Sequence, residues 1–104
     1  MTIQLNAGNN LTISEEYAEK LKEILSSELD RYIENITRLE VHLSDENSHK
    51  EAKDDKKCVL EARLKGRQPV AVTDTGDTYD QAVDNAIEKL KAMLDSILGR
   101  MANK

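Results

Sequence analysis

The chain has 104 residues, of which 38% are apolar and 34% charged, with three tyrosines and no Phe or Trp; that suffices for one hydrophobic core but not two, and the core must be aliphatic. Fifteen basic residues against twenty acidic ones leave a net charge of −5, which excludes a uniformly basic nucleic-acid binder. The single cysteine, Cys58, excludes an internal disulfide and a thiolate metal cage.

Ile3 and Leu5 alternate with polar neighbours in a short first strand that ends at Ala7-Gly8-Asn9-Asn10. Ser14 is a natural N-cap, and Glu15 and Glu16 place carboxylates at the positive end of a helix dipole. Tyr17, Leu21, Ile24, Leu25 and Leu29 recur at three- and four-residue steps and give one apolar stripe, fading near Ile33 to Asn35. From Ile36 to Ser44 the period changes to two, with Leu39, Val41 and Leu43 on one side and Arg38, Glu40 and His42 on the other. Residues from about 45 to 56 are polar without periodicity and are expected to form a mobile loop. Cys58, Leu60, Ala62 and Leu64 form the next inward row, Gly66-Arg67-Gln68-Pro69 a turn, and Val70 and Val72 a fourth strand. Pro69, lacking an N–H, suits the start of an edge strand.

The last helix opens with Thr78 and Gln81 at capping-box spacing. Tyr79, Ala82, Val83, Ala86, Ile87, Leu90, Met93, Leu94, Ile97 and Leu98 give it a wide apolar face, and Gly99 is expected to stop it. The expected architecture is one α+β domain over 1–104, a βαβββα two-layer sandwich with a short tail from about 99 to 104. Its four-stranded mixed sheet begins with a right-handed βαβ unit, and both helices cover one face, because each element has only one apolar side. Met1 to Asn6 lacks the basic and long apolar regions of a signal peptide. No run approaches the ~20 apolar residues that cross a bilayer. The expected location is therefore the cytoplasm, with no membrane partner.

Little in the sequence favours catalysis. His42 lies on a solvated strand face, His49 in the expected loop, and Cys58 on an inward row where a thiol acts as a small apolar group. No metal spacing or phosphate loop is present, so no metal or cofactor is expected. Stacking of single-stranded RNA needs exposed aromatics, whereas Tyr17 and Tyr79 sit on apolar helix faces and Tyr32 at a helix end. What remains is charge segregation. The stretch from Lys50 to Arg67 holds Lys50, Lys53, Lys56, Lys57, Arg63, Lys65 and Arg67 against Glu51, Asp54, Asp55 and Glu61, while residues 1–37 and 74–98 are acidic on balance. Such a stretch is compatible with solvated loops or with shape-and-phosphate recognition of RNA. DNA is not an expected partner.

Ile36-Thr37-Arg38-Leu39-Glu40-Val41-His42-Leu43-Ser44-Asp45-Glu46-Asn47 resembles the second strand and following loop of the ribosome hibernation-promoting factors, also known as sigma-54 modulation proteins. Asp55-Lys56-Lys57-Cys58, Glu61-Ala62-Arg63-Leu64 and Gly66-Arg67-Gln68-Pro69-Val70-Ala71-Val72 look like the third and fourth strands of one branch. Tyr79-Asp80-Gln81-Ala82-Val83-Asp84, with Ala86 and Lys89-Leu90, looks like the last helix. The resemblance implies a fold related to double-stranded RNA-binding domains. It also implies binding to the small ribosomal subunit in the channel for messenger and transfer RNA, with translation silenced under starvation. The chain looks like a short form without the C-terminal dimerisation domain of longer members. Ala92 and Asp95 stand where the last helix of better-known members carries Arg or Lys.

The expected contacts to ribosomal RNA are Lys50, Lys53, Lys56, Lys57, Arg63, Lys65, Arg67, Lys89 and Lys91. A second expectation is a protein-interaction module, or a weak homodimer, using the apolar C-terminal run Met93, Leu94, Ile97, Leu98 and Met101.

Overall fold

The computed structural model describes residues 1–8, 11–45 and 55–102, with side chains described through residue 99. The elements are β1 (Thr2–Ala7), α1 (Glu15–Glu28), a 3-10 turn (Asp30–Tyr32), β2 (Ile36–Asp45), β3 (Lys56–Leu64), β4 (Val70–Gly76) and α2 (Tyr79–Ala102). The sheet order is β1-β2-β3-β4, with β1 parallel to β2 and the other pairs antiparallel. This is the βαβββα arrangement that the periodicity predicts.

The period-two pattern sorts the sheet residues as expected. Leu39, Val41 and Leu43 of β2, Cys58, Leu60, Ala62 and Leu64 of β3, and Val72 of β4 are buried in one cluster with Leu21, Leu25 and Leu29 and with Ala82, Ala86, Leu90 and Leu94. Alternate residues face the other side of the sheet, over which no apolar layer packs among the described residues. The parallel register aligns Gln4 with Glu40, and the antiparallel registers align Glu40 with Glu61 and Arg38 with Arg63. The open face is thus a mosaic of polar side chains.

Ser14 caps α1 by accepting from the Tyr17 amide at 3.1 Å. The helix ends at Glu28, earlier than the apolar stripe suggests, and the chain tightens into the 3-10 turn. Leu29 and Tyr32 are three apart, a spacing that either helix type satisfies, so the periodicity could not separate them. The turn drives Tyr32 down to 3% exposure and leaves Ile33 at 48%.

The buried Tyr32 hydroxyl has a partner on α2. It donates to Asp95 Oδ1 at 2.5 Å and accepts from Arg31 Nη2 at 2.5 Å, while Arg31 also pairs with Asp95. Asp95 therefore fastens the end of α2 to the chain after α1. The Tyr32 hydrogen bond, and after it the Arg31 guanidinium, hold the Asp95 carboxyl below the usual carboxylate range. A depressed pKa means that the carboxylate's contribution is complete above the ordinary value and is lost as pH falls through the lowered one. Asp95→Asn should accordingly lower the urea midpoint at pH 7, and the deficit should shrink below about pH 4, where the unfolded carboxyl is protonated too. An equal deficit at both pH values would show that the anion is not what matters.

At the start of α2, Thr78 Oγ1 accepts from the Gln81 amide at 3.0 Å, and Gln81 Oε1 accepts from the Asp77 amide at 3.0 Å. The reciprocal bond of the box thus falls one residue before the cap. Gly99 does not stop the helix, which runs on to Ala102. Among the described glycines only Gly66, in the β3–β4 turn, has a positive φ, of 70°. Gly99 therefore lacks the left-handed geometry that makes glycine a terminator. The expected tail from about 99 begins inside α2, and only its last two residues lie outside the described part.

Two other boundaries move. The fourth strand continues to Gly76, and Asp45 and Lys56, at the expected loop ends, pair as the last rung of β2 and β3. The intervening 46–54 lie outside the described residues, as does His49. The outer edge of β4 is covered by α2, where Asn85 Nδ2 donates to the Thr75 carbonyl at 3.0 Å and Lys89 Nζ to the Thr73 carbonyl at 2.9 Å. These bonds satisfy edge carbonyls that would otherwise invite another strand.

Candidate nucleic-acid interface

Nine basic residues form the expected contact set, and the fold distributes them over both layers. Lys50 and Lys53 lie outside the described residues. Lys56 projects from the first rung of β3 toward the helix side, 2.9 Å from Asp55 Oδ1 and 3.2 Å from Asp45 Oδ2, with its Nζ 5.9 Å from the centroid of the Tyr79 ring. Asp55 is only 4% exposed. The hydrogen bond to Asp55, then that to Asp45, raises the Lys56 pKa. A cation bracketed by two carboxylates offers little net positive potential to a phosphate. Lys57, the next residue, points to the open face opposite Ser44 and Thr75.

Lys89 and Lys91 belong to the helix layer and are engaged there. Lys89 holds the β4 edge and lies 3.5 Å from Asp74. Lys91 sits 2.5 Å from Glu28 and 3.5 Å from Glu88, joining the two helices. The carboxylate of Glu28 is the main reason that its pKa is raised. Asp95 forms the Tyr32 anchor described above. The end of α2 is thus built for packing against α1 by charge pairs.

Arg63, Lys65 and Arg67 are brought together at the opposite end of β3. Arg63 points to the open face, and Lys65 and Arg67 lie exposed in the turn before β4. The turn is fixed by the Lys65 amide donating to the Asn35 carbonyl at 2.9 Å and the Arg67 amide to the Leu64 carbonyl at 3.3 Å. Arg38, absent from the expected set, completes the group because it is the register partner of Arg63. Two guanidiniums in directly opposed positions repel. Glu40 relieves this, with its Oε2 3.2 Å from Arg38 Nε and 3.5 Å from Arg63 Nη2. The Glu40 side chain is only 17% exposed, against 40% for Arg38 and 54% for Arg63, so the carboxylate is the shielded member and the guanidiniums the presented ones. His42 Nε2 lies 3.7 Å from the other Glu40 oxygen.

The described residues contain no group of three His, Cys, Asp or Glu side chains that could hold a metal ion. Cys58 is fully buried, and its thiol pKa is pushed up to about 12, first by burial and then by the nearby Asp74. A thiol so protonated is a poor nucleophile. Incubating folded protein with iodoacetamide at pH 7.5 should leave Cys58 unlabelled by mass spectrometry over hours, while urea-unfolded protein labels within minutes. Rapid labelling of the native protein would contradict this burial. No described helix is long and apolar enough to cross a membrane.

Comparison with known proteins places this arrangement. The family model for Sigma 54 modulation protein / S30EA ribosomal protein matches residues 6–102. Among solved structures, the N-terminal domain of Thermus thermophilus Protein Y superposes with a TM-score of 0.72 at 24% identity, covering 93% of this chain and 99% of that one. A ribosomal subunit interface protein from Coxiella burnetii gives a TM-score of 0.73 at 19% identity, with 95% and 99% covered. At these identities the two structures establish the shared fold. No curated protein sequence gives a significant match.

Proposed function

The chain belongs to the sigma 54 modulation protein / S30EA ribosomal protein family, a family of non-enzymatic ribosome-binding proteins, and we propose that it inhibits translation by occupying the small ribosomal subunit. The reading is that it lies in the channel for messenger and transfer RNA, in the cytoplasm, under stress or in stationary phase. One observation carries it: the family match spans nearly all of the chain, from residue 6 to residue 102. A presented cluster of cations on an otherwise acidic domain supports it. Phosphate recognition needs local positive potential and not a basic total. Of the nine basic residues named from the sequence, Arg63, Lys65 and Arg67 are the proposed contacts, with Arg38 added; Lys56, Lys89 and Lys91 are engaged with carboxylates of the domain itself, and Lys50 and Lys53 lie outside the described residues.

Co-sedimentation with small subunits and with whole ribosomes, at low and high salt, tests the reading. Binding at low salt that falls as salt rises, together with inhibition of cell-free translation relieved by excess messenger and transfer RNA, is the expected outcome. Each phosphate contact should contribute about −0.7 to −0.9 to the slope of log K against log salt. Absence of binding at every salt concentration would overturn the reading.

A second reading rests on Met93, 38% exposed at the end of α2, and on Ile33, 48% exposed after α1. It makes the C-terminal part of α2 a protein-interaction or self-association surface. A monomer mass independent of concentration in sedimentation, combined with ribosome binding, would remove it.

A further inference from the structure

We propose that this chain meets RNA with the open face of its sheet, at the end where Arg38, Arg63, Lys65 and Arg67 converge, and not with its helix layer. This rests on the ribosome-binding reading and specifies the surface that makes the contact. The occupant is the phosphate backbone of structured ribosomal RNA.

The charge balance of the two layers differs. Residues 15–34 and 79–99, which make up the helix layer, contain eleven carboxylates against five cations. Four of those five cations are already paired: Lys20 with Asp80, Arg31 with Asp95, Lys89 with Asp74 and Lys91 with Glu28. A phosphate approaching this side meets a surface of its own sign. On the open face Arg38 and Arg63 are paired too, but there four cations, Arg38, Arg63, Lys65 and Arg67, stand against only Glu40 and Glu61, and Glu40 is the more shielded of those two carboxylates, at 17% exposure against 35%.

The geometry favours phosphate over base recognition. One Glu40 oxygen engages a single nitrogen of each arginine, and Glu61 Oε1 lies 3.9 Å from the same Arg63 nitrogen. A guanidinium carries five N–H donors, so most stay available for bidentate contact with phosphate oxygens. Lys65 and Arg67 extend the cluster beyond the sheet on a turn set by Gly66. The β3–β2 ladder fixes the two arginines, so their spacing is held before RNA arrives. All three tyrosines lie elsewhere: Tyr17 and Tyr79 pack against the core beside the helices, and Tyr32 is buried within it. Without an aromatic on this face, shape and phosphate contacts are the available chemistry.

The test compares two neutralised variants for binding to purified small subunits at low salt, each first shown to be folded by circular dichroism and thermal melting. The triple variant Arg63→Gln, Lys65→Gln and Arg67→Gln should bind on the order of 100-fold more weakly, with a salt slope shallower by about 2 to 3. The double variant Lys89→Gln and Lys91→Gln should stay within about threefold of wild type, since its cations are engaged internally. Glu61→Gln removes a carboxylate from the same face and should tighten binding by roughly twofold to fivefold, a gain that mere loss of structure cannot produce. Wild type that binds, with the triple variant unchanged or the helix double equally weakened, overturns the sheet-face proposal alone. Wild type that fails to bind at any salt overturns the ribosomal reading and this inference with it.

Discussion

Leu60→Ala should destabilise the protein by about 2–5 kcal/mol, whereas Val59→Ala, one residue away, should cost about 1 kcal/mol or less. The contrast follows from the pleat. Leu60 is fully buried at the middle of β3, where Val41 and Val72 are its register partners and α2 packs against the strand. Truncation there removes transfer energy and leaves a cavity that the rigid sheet fills poorly. Val59 points the other way, between His42 and Thr73, and is only half-buried. For a domain of this size the two variants should differ by roughly 10–20 °C in melting temperature. Thermal melts of both, with urea denaturation to confirm unchanged m-values, make the comparison. A large cost for Val59→Ala would mean that something apolar covers the open face, such as a second copy of the chain, and would leave no room there for RNA.

The same period-two logic made most of the fold legible from the sequence. Leu39, Val41 and Leu43, then Cys58, Leu60, Ala62 and Leu64, alternate cleanly because one face of the sheet is wet. The three-and-four spacing in α2 shows the same one-sided burial. What stayed hidden depends on contacts between elements. The stripe ends at Leu29, and Tyr32 three residues on fits both an α-helix and a 3-10 turn; the choice is tied to the Tyr32 hydroxyl finding Asp95, sixty-three residues away. Lys56 reads as a loop cation until the ladder sets it across from Asp45. Lys89 and Lys91 keep their sequence-assigned charge but spend it on Asp74, the Thr73 carbonyl and Glu28. Arg38 was visible as a polar-face residue, yet only the register reveals that Arg63 stands opposite and that Glu40 bridges the two. Residue type announces a charge, while the fold decides whether that charge is free to act.

Glycine substitutions should move stability in opposite directions at two sites. Gly76 closes β4 just before α2, and a Cβ built there lies 2.7 Å from the Ala82 amide nitrogen, 2.9 Å from Gln81 Cβ and 3.0 Å from the Gln81 carbonyl carbon. Two of those three atoms are backbone, in the first turn of α2, so no side-chain rotation can relieve the overlap. Gly→Ala ordinarily gains about 0.4–1 kcal/mol by restricting the unfolded chain. Overpacking against a fixed backbone costs up to about 3 kcal/mol, so the clash wins and Gly76→Ala should lose about 2 kcal/mol net. The helix would have to back away from the strand, straining the bonds of Thr78 and Gln81 that cap it. Gly99 meets nothing within 4 Å of a built Cβ and sits inside the helical run. Gly99→Ala should therefore stabilise by about 0.5 kcal/mol, somewhat under the value for a helix interior because the site is near the end. Urea midpoints moving down for Gly76→Ala and up for Gly99→Ala would support both the close strand-to-helix approach and the continuation of α2 past residue 99. A fall in both would mean that the helix does end at Gly99 in solution, with glycine needed there for a left-handed cap.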